Sequence, residues 1–139
     1  MNTNSNTYTI IYASVMVIIV AFLLAFVSSV LKDTQDENVR LDKKKQILTS
    51  LNVNYEGEDA AALYDKYVQQ ELIINYAGEV VEEIGAFYLD VKAENDKALE
   101  ERKLAVFACE VEGEPKFVLP IRGAGLWGPI WGYIGLNED

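Results

Sequence analysis

The sequence predicts an α+β protein with one N-terminal transmembrane helix, an amphipathic helix after it, and a mainly antiparallel sheet domain. Three observations lead there. Met1 to Leu31 holds no Asp, Glu, Lys or Arg, although the chain carries 12 basic and 22 acidic side chains. Val39, Leu41, Ile47, Leu48 and Leu51 then recur near helical spacing among charges. From Glu71 the pattern changes to short β-rich runs separated by turn residues.

Ile10 to Val30 spans about 32 Å at helical rise, the thickness of a bilayer's hydrocarbon core. A permanent anchor is favoured over a cleaved signal peptide, which wants a basic start and a shorter apolar stretch. Ala21, Ala25 and Ser29 fall on one face of this helix. They are either a close-packing face for another helix or ordinary lipid-facing composition, and the pattern favours the latter. Tyr8 and Tyr12 suit the headgroup level. The nearby cations, Lys32, Arg40 and Lys43 to Lys45, all follow the helix and by themselves favour a cytoplasmic domain. Large domains, however, translocate largely regardless of charge, so the side stays open.

Lys32 to Leu51 reads as a juxtamembrane amphipathic helix. Its Lys43-Lys44-Lys45 run is offset by Asp33, Asp36, Glu37 and Asp42, which favours a solvated face over lipid headgroups. Asn54 to Asp59 is a polar break. Asp59 suits the N-cap of a second helix, Ala60 to Gln70, with an apolar stripe of Leu63, Tyr64, Tyr67 and Val68. Strands are expected at Leu72 to Asn75, Ala86 to Lys92, Leu104 to Val111, Lys116 to Ile121 and Ile130 to Leu136. Glu112-Gly113-Glu114-Pro115 is the clearest hairpin turn, and Asn95 to Arg102 is a charged connection. The expected organisation is a short tail at 1–9, the anchor at 10–31, a juxtamembrane helix and linker at 32–53, and the sheet domain at 54–139.

Composition excludes several chemistries. No His is present and Cys109 is the sole Cys, so there is no His-based nucleophile or imidazole zinc site, and no internal disulfide or thiolate-held cluster within this chain. A net charge of -10 repels phosphate backbones, so no nucleic-acid partner is expected. Glu79, Glu82 and Glu83, and Glu110, Glu112 and Glu114, read as solvated faces rather than metal sites. Cys109, in an apolar strand, reads as a small core residue.

All three prolines lie between Pro115 and Pro129, and five of the nine glycines between Gly123 and Gly135. The run GAGLWGPIWGY there offers Trp faces and glycine backbone that suit a planar aromatic ligand. The bland alternative, a tight hairpin whose Trp side chains fill the core, is favoured on physics alone. Glycine spacing and Pro129 rule out a dinucleotide fingerprint and a phosphate loop. Arg122, beside this run, is a candidate to pair with a phosphate or a partner carboxylate.

NVRLDKKKQIL at 38–48, LYDKYV at 63–68 and above all VLPIRGAGLWGPIWGYIGL at 118–136 resemble the C-subunit family of the sodium-translocating NADH:quinone oxidoreductases, along essentially the whole chain. The flavin-binding G subunit of Rnf-type complexes is a related alternative, but LWGPIWGY is closer to the C subunit. The resemblance implies an FMN-binding-type domain on the periplasmic side of a bacterial inner membrane. It also implies covalent FMN relaying electrons toward quinone while the complex exports sodium, and partners among the other membrane subunits and membrane lipid. It places Gly125, Leu126, Trp127 and Gly128 beside the isoalloxazine ring and leaves Trp131 and Tyr133 to the sheet core. In the family, FMN is held by a phosphoester bond to a Thr in a Ser/Thr-Gly-Ala-Thr type motif. No such motif occurs here, and neither Thr34 nor Thr49 replaces it, so the chain reads as the N-terminal portion of such a domain. A membrane-tethered adaptor without cofactor is the alternative from a different class.

Overall fold

Ser5 opens the first helix by accepting the Tyr8 N–H on its hydroxyl at 3.2 Å, and the helix that follows, α1 (Asn6–Ser50), is unbroken. The computed structural model describes residues 3–138, which fall into two compact units, Met1–Arg40 and Leu41–Asp139. In the first unit α1 is long and apolar enough to cross a membrane, and none of its apolar window is buried within the protein. The Tyr8 and Tyr12 rings stack with centroids 6.3 Å apart. The anchor and the juxtamembrane helix are one helix, because nothing between Leu31 and Ser50 breaks helical hydrogen bonding: there is no Pro or Gly.

The second unit begins with the last turns of α1. Here Ile47, Leu48 and Leu51 of the predicted apolar stripe are buried, while Val39, earlier in it, is exposed. Asn52 ends the helix in the left-handed conformation with φ 58°. Val53 N–H reaches Leu48 O at 3.0 Å and Asn52 N–H reaches Thr49 O at 3.0 Å, the two hydrogen bonds of a Schellman motif. Lys43 does not stay on a solvated face: its Nζ donates to Phe87 O and lies 4.5 Å from the Phe87 ring centroid. Lys44 sits over the Tyr64 ring at 5.0 Å.

Asp59 caps α2 (Ala60–Tyr67), accepting from Ala61 N–H. The helix stops at Tyr67 rather than running to Gln70, because Val68 is already extended and paired with Cys109. Five strands follow: β1 (Val68–Ile74), β2 (Val80–Glu82), β3 (Leu104–Val111), β4 (Glu114–Ala124) and β5 (Pro129–Asn137). They form one antiparallel sheet in the order β2-β1-β3-β4-β5. The Glu112-Gly113 turn has φ of 56° and 82°, the positive pair that a two-residue hairpin needs.

The strand expected at Ala86 to Lys92 is absent. Gly85 takes a left-handed φ of 88°, Ala86–Tyr88 is a 3-10 turn, and α3 (Val91–Asn95) follows, capped by Asp90. The reason is tertiary. Glu71 on β1 accepts the Phe87 N–H at 3.1 Å and the Tyr64 hydroxyl at 3.1 Å, which holds this segment by Phe87 instead of by a ladder. Strand β2, unread in the sequence, is three exposed residues paired to β1 through a bulge. Asn75 sets its turn by accepting from Ala77 N–H and Glu79 N–H.

One face of the sheet supplies Ile73, Ala105, Phe107, Cys109 and Val118 to a core shared with Ile47, Leu51, Tyr64 and Phe87. Cys109 is thus a core residue, and burial pushes its thiol up to about 11. Glycine is needed at Gly135, where a Cβ would collide with the Ser50 carbonyl oxygen.

Candidate functional site

The β4–β5 hairpin is where the candidate residues meet. Its ladder runs from Lys116 opposite Asn137 to Ala124 opposite Pro129, leaving Gly125-Leu126-Trp127-Gly128 as the loop. Gly125 N–H closes it by donating to Gly128 O at 2.8 Å. A Cβ on Gly125 would stand 2.8 Å from Gly128 O and 2.9 Å from Ile130 Cγ2, and Gly128 takes φ 151°. Both positions therefore need glycine, for close approach in one case and for backbone conformation in the other.

This tight closure pushes the two middle side chains outward. Leu126 is 91% exposed and Trp127 96%. Their amide groups have no hydrogen-bond partner among the described residues. The loop thus presents a planar aromatic face, an aliphatic side chain and unengaged N–H donors at one tip, a combination that suits a flat ligand with a polar edge. The core-filling expectation for the Trp residues fails. Trp131 is also exposed, at 66%, because its alternation along β5 points it to the Arg122 position of β4, beyond the helices that cover the rest of that face. Tyr133, two residues on, does reach the core: it packs edge-on to Phe107 with centroids 6.4 Å apart, and burial pushes its hydroxyl up to about 12.

Arg122 is half-buried, and its side chain makes no hydrogen bond or ion pair with another described residue. It lines a cavity of ≈ 240 Å³ with Leu89, Glu94 and Leu104, and one of ≈ 230 Å³ with Gly123, Ile130 and Trp131. The sequence places Arg122 beside the loop, and the structure puts it on the wall of the clefts below the tip. Sequence reasoning missed Glu94, which borders the same cleft. Its carboxylate accepts from Lys97 Nζ at 2.6 Å and Lys103 N–H at 2.9 Å. These bonds, Lys97 first, hold its carboxyl below the usual range against the opposing effect of burial. The signal was Asp90 as an N-cap, which starts α3 and so fixes where Glu94 points.

The glutamates read as solvated faces stay at the surface; among them Glu82 pairs with Lys103 at 2.6 Å. The described residues contain no cluster of three or more metal-ligating side chains. Thr49 donates its hydroxyl to Lys45 O at 2.9 Å, and Thr34 lies within α1; neither is near the loop in sequence.

No family model matches the chain. Curated relatives do: the C subunit of the Na(+)-translocating NADH-quinone reductase of Pseudomonas aeruginosa is 28% identical over 160 residues, covering 99% of this chain and 60% of that protein. The protein of the same name from Haemophilus ducreyi is 27% identical with the same coverage. Among solved structures, the C subunit of the Parabacteroides distasonis reductase superposes with a TM-score of 0.69 at 38% identity, covering 78% of this chain and 52% of that one. The chain spans about 60% of the length of the curated relatives it matches. An apolar N-terminal helix followed by an antiparallel α+β sheet domain, matched in sequence over nearly its whole length, makes this chain a relative of the C subunits of the Na(+)-translocating NADH-quinone reductases.

Proposed function

We propose that this chain forms part of an electron-transferring flavoprotein subunit of a sodium-translocating NADH:quinone oxidoreductase. In this reading α1 anchors it in a bacterial inner membrane, the sheet domain lies on the periplasmic side, and the other membrane subunits are its partners. The match to proteins named as C subunits supports the assignment to such a complex. The observation that carries the cofactor reading is the loop tip, where Leu126 and Trp127 stand 91% and 96% exposed above two required glycines.

The tip fits contact with FMN; the described hydroxyls do not fit its attachment. Trp127 and Leu126 would cover part of the isoalloxazine ring and exclude water from it, while the Leu126 and Trp127 N–H groups would meet its polar edge. Gly125 N–H takes no part, being engaged by Gly128 O. When bound, FMN supplies one-electron transfer between a donor and a quinone-linked acceptor, and the protein sets its placement and potential. No residue is proposed for the phosphoester, since neither Thr34 nor Thr49 stands in the family's attachment motif. Sodium movement would belong to other subunits, because the charge-free stretch of α1 offers no Asp, Glu, Lys or Arg side chain.

Titrating the chain with FMN while following flavin fluorescence tests this contact. Quenching is expected, with affinity about threefold or more weaker in Trp127→Ala, the loss of one aromatic contact. Identical titrations for a folded Trp127→Ala protein would remove the flavin contact and favour the cofactor-free adaptor.

A further inference from the structure

Two cations beside the β4–β5 hairpin stand apart from the rest of the domain's basic residues. Lys43, Lys97, Arg102 and Lys103 each donate to an acceptor nearby: the Phe87 carbonyl, the Glu94 carboxylate, the Asn95 carbonyl and the Glu82 carboxylate. The side chains of Lys92 and Arg122 make no hydrogen bond or ion pair with another described residue. Yet they share their surroundings. Both border a cavity of ≈ 160 Å³ between the start of α3 and the hairpin, walled by Leu89, Pro120 and Trp131, and a neighbouring one of ≈ 430 Å³.

The smaller cavity has one carboxylate on its wall, that of Asp90. It is already engaged, accepting Lys92 N–H at 2.9 Å and Ala93 N–H at 3.2 Å. Asp96 borders only the larger cavity. In a chain of net charge -10, two uncommitted cations on one apolar-walled cleft form a site for an anion, because partial exclusion of water strengthens their attraction for it. A carboxylate would be matched by the guanidinium alone; two cations match the double charge of a phosphate group.

We propose that this cleft binds a phosphate group, with the Arg122 guanidinium supplying paired N–H donors and the Lys92 ammonium a second positive charge. Two sources carry that chemistry. Arg122 lies on β4 three residues before Gly125, about 10 Å at strand rise, a distance comparable with an extended ribityl phosphate. The phosphate of FMN is therefore one source, and that source rests on the flavin reading above. Free phosphate is the other and is independent of it.

The test is equilibrium dialysis of the full chain in maltoside micelles, which carry no phosphate, against radiolabelled orthophosphate at constant ionic strength. Saturable uptake is expected, weakened about tenfold or more in Arg122→Gln and about threefold in Lys92→Gln. Lys116→Gln, at the far end of the β4–β5 ladder, should leave it unchanged, and Arg122→Lys, which keeps the charge without the fork, should fall between native and Arg122→Gln. Lys92 is exposed, so its variant decides the matter should Arg122→Gln not fold. Absence of saturable uptake, or equal uptake by native, Arg122→Gln and Lys92→Gln proteins, would overturn the proposal and leave the flavin contact at Trp127 standing. Displacement of bound phosphate by FMN but not by riboflavin would name the flavin's phosphate as the source, and displacement by neither would name free phosphate. Equal displacement by both would also overturn the proposal, since the ring would then occupy the cleft.

Discussion

The helix-covered face of the sheet and the tip of the β4–β5 hairpin, two ends of one scaffold, use aromatic residues in opposite ways. Under the helices Phe107 is 1% exposed and Phe87 6%, and the polar groups among them are all engaged: Glu71 serves Tyr64 and Phe87, and Lys43 serves the Phe87 carbonyl. At the tip Trp127 touches almost nothing, and the amide groups beside it are unengaged. Phe107 on β3 and the tip after β4 belong to one sheet, so the scaffold does not explain the contrast. Four residues with two required glycines cannot fold back on the sheet, and what they carry is presented outward. Buried aromatics there contribute stability; exposed ones contribute little and are available for binding.

Substitutions can break this contrast or sharpen it. Phe107→Ala should cost the most, about 3–5 kcal/mol, by opening a cavity in the core, read from denaturant unfolding of the purified protein in micelles. Glu71→Ala comes next, at about 1–3 kcal/mol, because it leaves the Tyr64 hydroxyl and Phe87 N–H without their acceptor. Burial, followed by the charge and hydrogen bond of Glu71, holds the Tyr64 hydroxyl well above its usual pKa. The variant should therefore let Tyr64 ionise at lower pH in an ultraviolet titration, which a purely steric loss would not do.

A smaller effect concerns Glu94. Its carboxyl is held below the usual range in the folded protein, so its contribution is present above the ordinary carboxylate pKa of about 4.3 and is lost as pH falls through the lower, folded value. Melting temperature should decline with acid below about pH 4.3, and Glu94→Gln should flatten that decline. A slope unchanged by the substitution would show that other carboxylates govern acid stability. Smallest of all, Trp127→Ala should alter stability by no more than about 0.5 kcal/mol. If it proves as destabilising as a core truncation, the contrast between the two regions fails.

How far the sequence could be read follows from the range of the forces involved. The charge-free stretch, the Leu41 to Leu51 stripe, the Asp59 cap and the Glu112-Gly113 turn depend on residues within a few positions of one another, and each stands where its local chemistry puts it. The glycine-rich loop was legible as a special backbone, and its four residues do form one tip. Whether its tryptophans faced in or out was not legible, since that depends on where the covering helices end.

By itself the sequence determined the elements whose causes are local: an apolar helix able to span a bilayer, a capped second helix, alternating strands and a tight turn. It also settled that no histidine or paired-cysteine chemistry operates within this chain. Only the tertiary structure decided that Ala86 to Asn95 is a turn and a helix, because the acceptor for Phe87 N–H comes from Glu71 on another strand. The tertiary structure also decided that Trp127 and Trp131 lie outside the core. Alternation fixes that a strand has two faces; which of them meets a helix depends on contacts between residues far apart in the chain.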